Sequence, residues 1–364
     1  MSSSFSPLDA LQNGHWFKLI CGASFQHLPA IRTLALVYTL AGADCIDVAA
    51  DSAVVYAARS GIEAAQNLLK AERSDAAREV WLMVSLNDGE DPHFRKAVFD
   101  PLRCPTDCPQ PCVSICPAEA IAFAPSHFGV IEERCYGCGR CLPICPLGLI
   151  ETRSQPATPS SIQPLLRAGL VNALELHTQV GHEAEFQQLW QKIQPILPHL
   201  KALAVSCPDE GGVLEYLSVL YQLMGSLPCP LIWQTDGRPM SGDIGDGATR
   251  ATIKYGERVL RSPLPGFVQL AGGTNRHTVP KLKELGLFPN SSGCGDHELP
   301  YISGVGYGSY ARSLVIEIQT QLEAQPRSSH RLEDYPDLLW QGVDLVAQLI
   351  APLKFPRSTQ TTPS

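Results

Sequence analysis

Phe17-Lys-Leu-Ile-Cys21, then Gly22, then the helix-like stretch from Leu28 to Leu40, then Cys45-Ile-Asp-Val-Ala49, the helix-like stretch Ala53 to Leu69, and Trp81-Leu-Met-Val-Ser-Leu86 set the rhythm of this chain. Each short apolar run has strand length, and each longer segment repeats apolar residues at helical spacing. The rhythm resumes further on. Ser161 to Ala168 reads as helix, Ala173 to His177 as a fourth strand, and Glu183 to Leu200 as a helix presenting Phe186, Leu189, Trp190, Ile193, Ile196 and Leu197. Ala202–Ser206, Leu231–Gln234, Phe267–Leu270 and Ile302–Gly306 read as strands five to eight. The helix-like stretches Val213–Met224, Thr249–Val259, Val279–Leu285 and Tyr310–Leu322 follow them in turn. Eight strands alternating with helices predict a (β/α)8 barrel, with an open doubly wound sheet as the alternative.

The rhythm is interrupted once, after the third strand. The expected domains are 1–100 and 153–324 as the two parts of the barrel and 101–152 as an insertion. Residues 325–364 are expected to form an amphipathic helix (Asp334 to Leu353) and a disordered polar tail from Pro356. Loops after barrel strands open on the C-terminal face, where such folds carry their sites.

The bulk numbers narrow the function. Of 364 residues, 45% are hydrophobic and 18% charged, enough for a large core, and the formal net charge is −8. No basic run marks a nucleic-acid binder. No apolar stretch approaches the roughly 18 residues of a membrane span. Met1 to Pro7 lacks a secretory pattern, so a cytoplasmic protein is expected. Thirteen cysteines in such a chain point to metal or redox chemistry rather than disulfides.

Eight of those cysteines fall inside the insertion. The second half reads Cys135-Tyr-Gly-Cys138-Gly-Arg-Cys141-Leu-Pro-Ile-Cys145-Pro146, which is the C-x2-C-x2-C-x3-C-P run of bacterial ferredoxins. Its short gaps wrap three thiolates around one cluster, and Gly137 and Gly139 permit the tight loop. In two-cluster proteins the fourth cysteine serves the other cluster, so such runs come in pairs. The partner run is Cys104-Pro-Thr-Asp-Cys108-Pro-Gln-Pro-Cys112-Val-Ser-Ile-Cys116-Pro117, with three-residue gaps where two are usual. Pro105, Pro109 and Pro111 favour a loop over a helix there. Ala120–Phe123 and Gly129–Glu132 suit a hairpin between the runs. The expectation is two [4Fe–4S] clusters, one on Cys116, Cys135, Cys138 and Cys141, the other on Cys104, Cys108, Cys112 and Cys145. Structural zinc is the plain alternative, but it gives no reason for this spacing and its trailing proline.

Other candidates are weaker. Cys21, Cys45, Cys207 and Cys229 read as buried small hydrophobes, and Cys294 as an exposed thiol between glycines. Gly272 and Gly273 after strand seven, with Gly306 and Gly308 at strand eight, could hold a phosphate or a flavin, or simply make tight turns. His177 ends strand four. Asp236 and Arg238, with Asp243 and Asp246, form a polar loop after strand six that could hold a catalytic carboxylate or be a solvated turn.

Three further stretches carry a resemblance. Ala41-Gly-Ala-Asp-Cys-Ile-Asp-Val-Ala-Ala50, Leu270-Ala-Gly-Gly-Thr-Asn275 and Ile302-Ser-Gly-Val-Gly-Tyr-Gly-Ser-Tyr310, around the ferredoxin run, make the chain resemble the cyanobacterial light-dependent period family up to about Leu322. The resemblance implies an iron–sulfur redox sensor of circadian clock input, with Kai clock proteins and an input histidine kinase as partners. A flavin-dependent iron–sulfur oxidoreductase is the second reading.

Overall fold

The computed structural model describes residues 6–72, 78–89, 94–116, 118–125, 127–154, 158–237, 247–289, 300–325 and 331–354. Eight parallel strands close into a barrel: β1 (Trp16–Ile20), β2 (Cys45–Ala49) and β3 (Trp81–Asn87), then, beyond an insertion holding β4 to β7, β8 (Ala173–His177), β9 (Ala202–Pro208), β10 (Leu231–Asp236), β11 (Phe267–Ala271) and β12 (Gly304–Tyr307). Each strand pairs with its predecessor in the barrel and β12 returns to β1, with Trp16 opposite Gly304. The (β/α)8 expectation holds, and all eight expected strands are present within a few residues of their expected ends.

Strand alternation divides the core in two. Phe17 and Leu19 of β1, Ile46 and Val48 of β2, and Leu174 and Leu176 of β8 point outward into the layer of helices. Trp16, Cys45, Trp81, Met83, Ala173, Ala204 and Ile232 point inward and fill the N-terminal half of the lumen, where Trp16 and Trp81 meet edge-on at 5.6 Å. Each fully buried Leu, Val or Phe contributes about 1.5–3 kcal/mol by leaving water. The short helix Pro7–Gln12, capped by Ser6 and Asp9, seals that end with Leu11.

The outer ring follows the sequence with two corrections. The helix expected over Glu183–Leu200 ends at Ile193 and continues as a 3-10 turn, Gln194–His199, because Pro195 and Pro198 lack the N–H groups that α-helix requires. The helix expected over Tyr310–Leu322 is two pieces, Ser309–Ser313 and Ile316–Glu323, joined by tight turns in which Leu314 and Val315 donate to Ala311 and Arg312 carbonyls. Helices Leu28–Ala41 and Ser52–Glu72 approach so closely that a Cβ on Gly61 would lie 2.3 Å from the Arg32 carbonyl oxygen. The C-terminal helix Pro336–Lys354 packs on Leu28–Ala41 and places Lys354 against Asp44. Among the described residues no helix is long and apolar enough to cross a membrane.

Candidate metal centre

The insertion leaves the barrel at the C-terminal end of β3 and returns before β8. Its stem is the antiparallel pair β4 (Arg95–Val98) and β7 (Glu151–Ser154), with Arg95 opposite Ser154 and Val98 opposite Glu151. Between them the expected hairpin forms from β5 (Ile121–Ala124) and β6 (His127–Val130). The lobe has its own small core: Ala97, Ala120, Ile121 and Ile150 pack with Cys112, Cys135 and Cys141.

The two cysteine runs fold into matching halves. Cys112 lies in the short helix Pro111–Ile115 and Cys141 opens the short helix Cys141–Ile144. Each helix ends on the last cysteine of its run. Cys116 Sγ accepts a hydrogen bond from the Ala120 N–H at 3.3 Å, and Cys145 Sγ from Leu149 N–H at 3.4 Å. Three residues past those cysteines, Glu119 and Gly148 both have left-handed backbone, φ 48° and 60°. In the second run Gly137 and Gly139 supply the left-handed bends. In the wider first run the bend falls on Gln110, φ 51°, which costs about 1–2 kcal/mol for a residue with a Cβ. The extra residue in that gap is thus accommodated in a loop, as the prolines suggested.

The chain crosses between halves. Cys116, Cys135, Cys138 and Cys141 line one cavity with Ala97, Ala118, Ala120 and Ile121. Burial pushes the Cys141 thiol up to about 12, and the neighbouring Cys138, Cys135 and Cys116 add to the shift. Cys116 and Cys138 are likewise raised, first by burial. The other four also share one neighbourhood. Cys104 is raised by desolvation, then by hydrogen bonding to Cys108 and by the charges of Cys108, Cys112 and Cys145. Desolvation pushes Cys145 up, but backbone N–H groups from Leu147 to Ile150 outweigh it and hold the thiol below its usual value. Four thiolates repel one another in an apolar cradle unless cationic iron sits among them, so this donor set fits an iron–sulfur cluster. Among the described residues no three His, Cys, Asp or Glu side chains converge tightly enough for a single bare ion. The thiols surround a space rather than a point.

The lobe docks on the barrel mouth through the second run. Tyr136, between Cys135 and Cys138, meets Phe25 edge-on at 5.8 Å, and the Arg312 guanidinium lies 4.0 Å over its ring. Arg312 donates to the Ile20 carbonyl at 2.7 Å and to Ser309 Oγ at 3.0 Å. Gly22 lets the loops approach: its φ is +115°, and a Cβ there would touch the Tyr136 Cβ at 3.4 Å. Lys96 of β4 donates to Gln26 Oε1 at 2.8 Å and to the Glu132 carbonyl at 2.6 Å.

A second polar cluster takes in His177 and Asp236, which the sequence offered singly, together with residues that the sequence did not single out. In the upper half of the lumen, Lys18 of β1 is fully buried between Asp47 of β2, 3.1 Å away, and Glu175 of β8, and donates to Gln234 Oε1 at 3.0 Å. His177 Nε2 lies 2.8 Å from Glu175 Oε1, and Ser85 Oγ donates to Asp47 Oδ1 at 3.0 Å. Gln234 bridges Glu175, Ser206 and Gln269, and Ser206 donates to Asp236. Burial pushes the Asp47 carboxyl up to about 6 against the pull of Lys18. Burial also raises Glu175, but Lys18 and the hydrogen bond from His177 outweigh it and hold the carboxyl at about 2. The signal was a lone charge on the inward phase of an otherwise apolar strand.

The remaining candidates resolve as follows. Cys21, Cys45 and Cys207 are buried with thiols raised by desolvation, Cys21 to about 12, and Cys229 is half-buried and raised to about 11. Cys294, Arg238, Asp243 and Asp246 lie outside the described residues. Gly272 and Gly273 turn with φ 63° and 92°, and a Cβ on Gly273 would lie 3.0 Å from the Ala248 carbonyl oxygen. The Gly306 carbonyl accepts from Thr274 Oγ1 at 2.6 Å, and Gly308 lies beside Arg312. Close packing accounts for Gly273.

Comparison with known proteins agrees with this architecture. Residues 104–156 match the model described as the LdpA Fe-S cluster-binding domain, and residues 165–352 match the light dependent period A C-terminal domain. Over a short stretch the chain is similar to the electron transport protein HydN of Escherichia coli, 37% identical over 51 residues, 14% of this chain and 29% of that protein. It is also similar to an iron–sulfur protein of Rhodospirillum rubrum, 34% identical over 55 residues, 15% of this chain and 29% of that one. Light dependent period A of Synechococcus elongatus is 53% identical over 355 residues, covering 97% of this chain and 95% of that protein. With an iron–sulfur cluster-binding domain inserted in its barrel and this identity along nearly its whole length, the chain belongs to the light dependent period A family.

Proposed function

We propose that this protein is a cytoplasmic redox sensor of light-dependent clock input. In this reading it holds one [4Fe–4S] cluster on Cys116, Cys135, Cys138 and Cys141 and a second on Cys104, Cys108, Cys112 and Cys145. The observation that carries the reading is the crossing of the two runs, which gathers two groups of four thiols from eight cysteines. When bound, each cluster supplies a one-electron couple. The chain's own residues do the rest. Ala97, Ala118, Ala120 and Ile121 keep water from the first group of thiols. The N–H groups of Ala97, Ala120 and Leu149 donate to sulfur and stabilise negative charge there. Tyr136 and Arg312 join the lobe to β1 and to Ser309, so a change at the lobe reaches the barrel mouth. Partners suited to this role are the Kai clock proteins and an input histidine kinase of the family resemblance.

The test is anaerobic purification with iron, sulfide and flavin quantified, EPR of oxidised and reduced samples, and binding of those partners at two poised potentials. About eight irons per chain and partner affinity that changes with oxidation state are expected. Zinc in place of iron and sulfide, or binding indifferent to potential, refutes the reading. A bound flavin with pyridine-nucleotide turnover would instead favour an oxidoreductase.

A further inference from the structure

A charged layer inside a (β/α)8 lumen needs an explanation, because branched aliphatic side chains normally fill it. Buried ion pairs add little net stability, since desolvation offsets most of their attraction. In this lumen one ammonium, Lys18, is shared by two carboxylates, Asp47 and Glu175, at the end of the barrel that carries sites. Phe94, the residue before β4, covers the layer: its ring is fully buried and meets the His177 ring edge-on at 5.3 Å. Three residues later, on β4, the Ala97 N–H donates to Cys135 Sγ at 3.3 Å. The segment from Phe94 to Ala97, at most about 10 Å long at 3.3–3.4 Å per residue, therefore touches both the lumen and a cluster thiol.

We propose that the barrel lumen is a proton-binding site whose occupancy is linked to the oxidation state of the cluster held by Cys116, Cys135, Cys138 and Cys141, with β4 as the link. The inference rests on the iron–sulfur reading above. The balance is one electron and one proton. An external one-electron donor, a reduced ferredoxin-type carrier or dithionite, delivers the electron to the cluster. Solvent supplies the proton, which passes His177 at the mouth and ends on the Asp47 carboxylate, so the net charge of the molecule is unchanged. No other bond is made or broken. With a cluster bound, a gain of negative charge at the Cys135 sulfur would strengthen the hydrogen bond that the Ala97 N–H donates, and so would draw on the segment whose Phe94 ring meets His177.

Asp47 suits the acceptor role. Facing it are Lys18 from β1, Ser85 from β3, and Glu175 and His177 from β8. Cys45 lies on its own strand, and Asp236 of β10 joins the same network through Ser206 and Gln234. Burial has already raised Asp47 to about 6 while Glu175 stays ionised. Two carboxylates held apart in this way mark the proton-exchanging member of a pair.

The test is an EPR-monitored redox titration of the anaerobic holoprotein from about pH 5.5 to pH 8, with iron and sulfide assayed on the same sample. The midpoint of this cluster should fall as pH rises near and above 6, with a slope approaching 59 mV per tenfold change in proton activity. Asp47→Asn should flatten it. Glu175→Gln, which leaves Lys18 to Asp47 alone, should move the sloping region to lower pH and provides a reading if the first variant does not fold. His27→Gln, at the N-cap of helix Leu28–Ala41 and outside the lumen, should keep the slope. A flat midpoint in the wild-type protein, or a slope unchanged by both lumen substitutions, overturns the linkage alone. Absence of iron and sulfide overturns both readings.

Discussion

Lys18→Met is the most informative perturbation of the barrel, because it removes the ammonium that two buried carboxylates share. Lys18 is fully buried, 3.1 Å from Asp47 and in contact with Glu175, and its own protonated form is held by those two charges despite the desolvation that opposes it. Breaking a buried ion pair by deleting one partner costs about 3–5 kcal/mol, since the orphaned charge stays desolvated. At roughly 2–4 °C per kcal/mol for larger domains, the melting temperature should fall by roughly 6–20 °C at pH 8. The pH dependence also weakens at Glu175. In the wild-type protein its folded pKa is depressed to about 2, so its contribution is present above the unfolded value and is lost only as pH falls through about 2. Without Lys18, burial raises the Asp47 carboxyl further above its unfolded value, while at Glu175 only His177 still opposes burial. The Asp47 contribution is then present in acid and lost as pH rises. Differential scanning calorimetry at about pH 5 and pH 8 should show a larger loss at pH 8, and adding Asp47→Asn with Glu175→Gln should restore much of it. A Lys18→Met protein that melts within 2 °C or so of wild type at both pH values refutes the account of the lumen.

Three other outcomes follow from the geometry. Cys116→Ala should give the same EPR loss as Cys135→Ala and a different one from Cys112→Ala; matching spectra for Cys116→Ala and Cys112→Ala would mean the runs do not cross. Glu119→Gly should raise the lobe's stability by up to about 1 kcal/mol, because the left-handed backbone there matches Gly148 in the other half, and a lowered unfolding midpoint would contradict this. Gly61→Ala should destabilise by about 1–3 kcal/mol, since its Cβ would fall 2.3 Å from the Arg32 carbonyl oxygen; unchanged denaturant midpoints would show that the two helices part easily.

The barrel was legible because period-2 and period-3.6 patterns alternate cleanly outside the insertion, and the eight strand runs fall where apolar residues crowd. The helix after β8 was read too long because apolar spacing continues through Ile196 and Leu197, while Pro195 and Pro198 decide the backbone. The spacing grouped Cys116 with Cys135, Cys138 and Cys141, which line one cavity, but the bend at Gln110 was not readable, since nothing in a Pro-Gln-Pro triplet announces a left-handed residue. The lumen network stayed hidden for a different reason. Lys18, Asp47 and Glu175 lie far apart in sequence, and each alone looks like one stray charge in an apolar strand; only barrel closure brings them within reach of one another.

The two-stranded stem of the inserted lobe has a consequence for how the molecule survives the loss of its inorganic groups. About 85 residues separate the end of β3 from the start of β8, yet those two strands are direct neighbours, Asn87 opposite His177. Loop-closure entropy grows only with the logarithm of length, by about 0.6 kcal/mol per doubling, so a lobe that melts into slack chain penalises the barrel by about 1 kcal/mol relative to an ordinary crossover. Demetallation should therefore leave a folded scaffold able to be reloaded, a part that resets rather than one discarded after each oxidative insult.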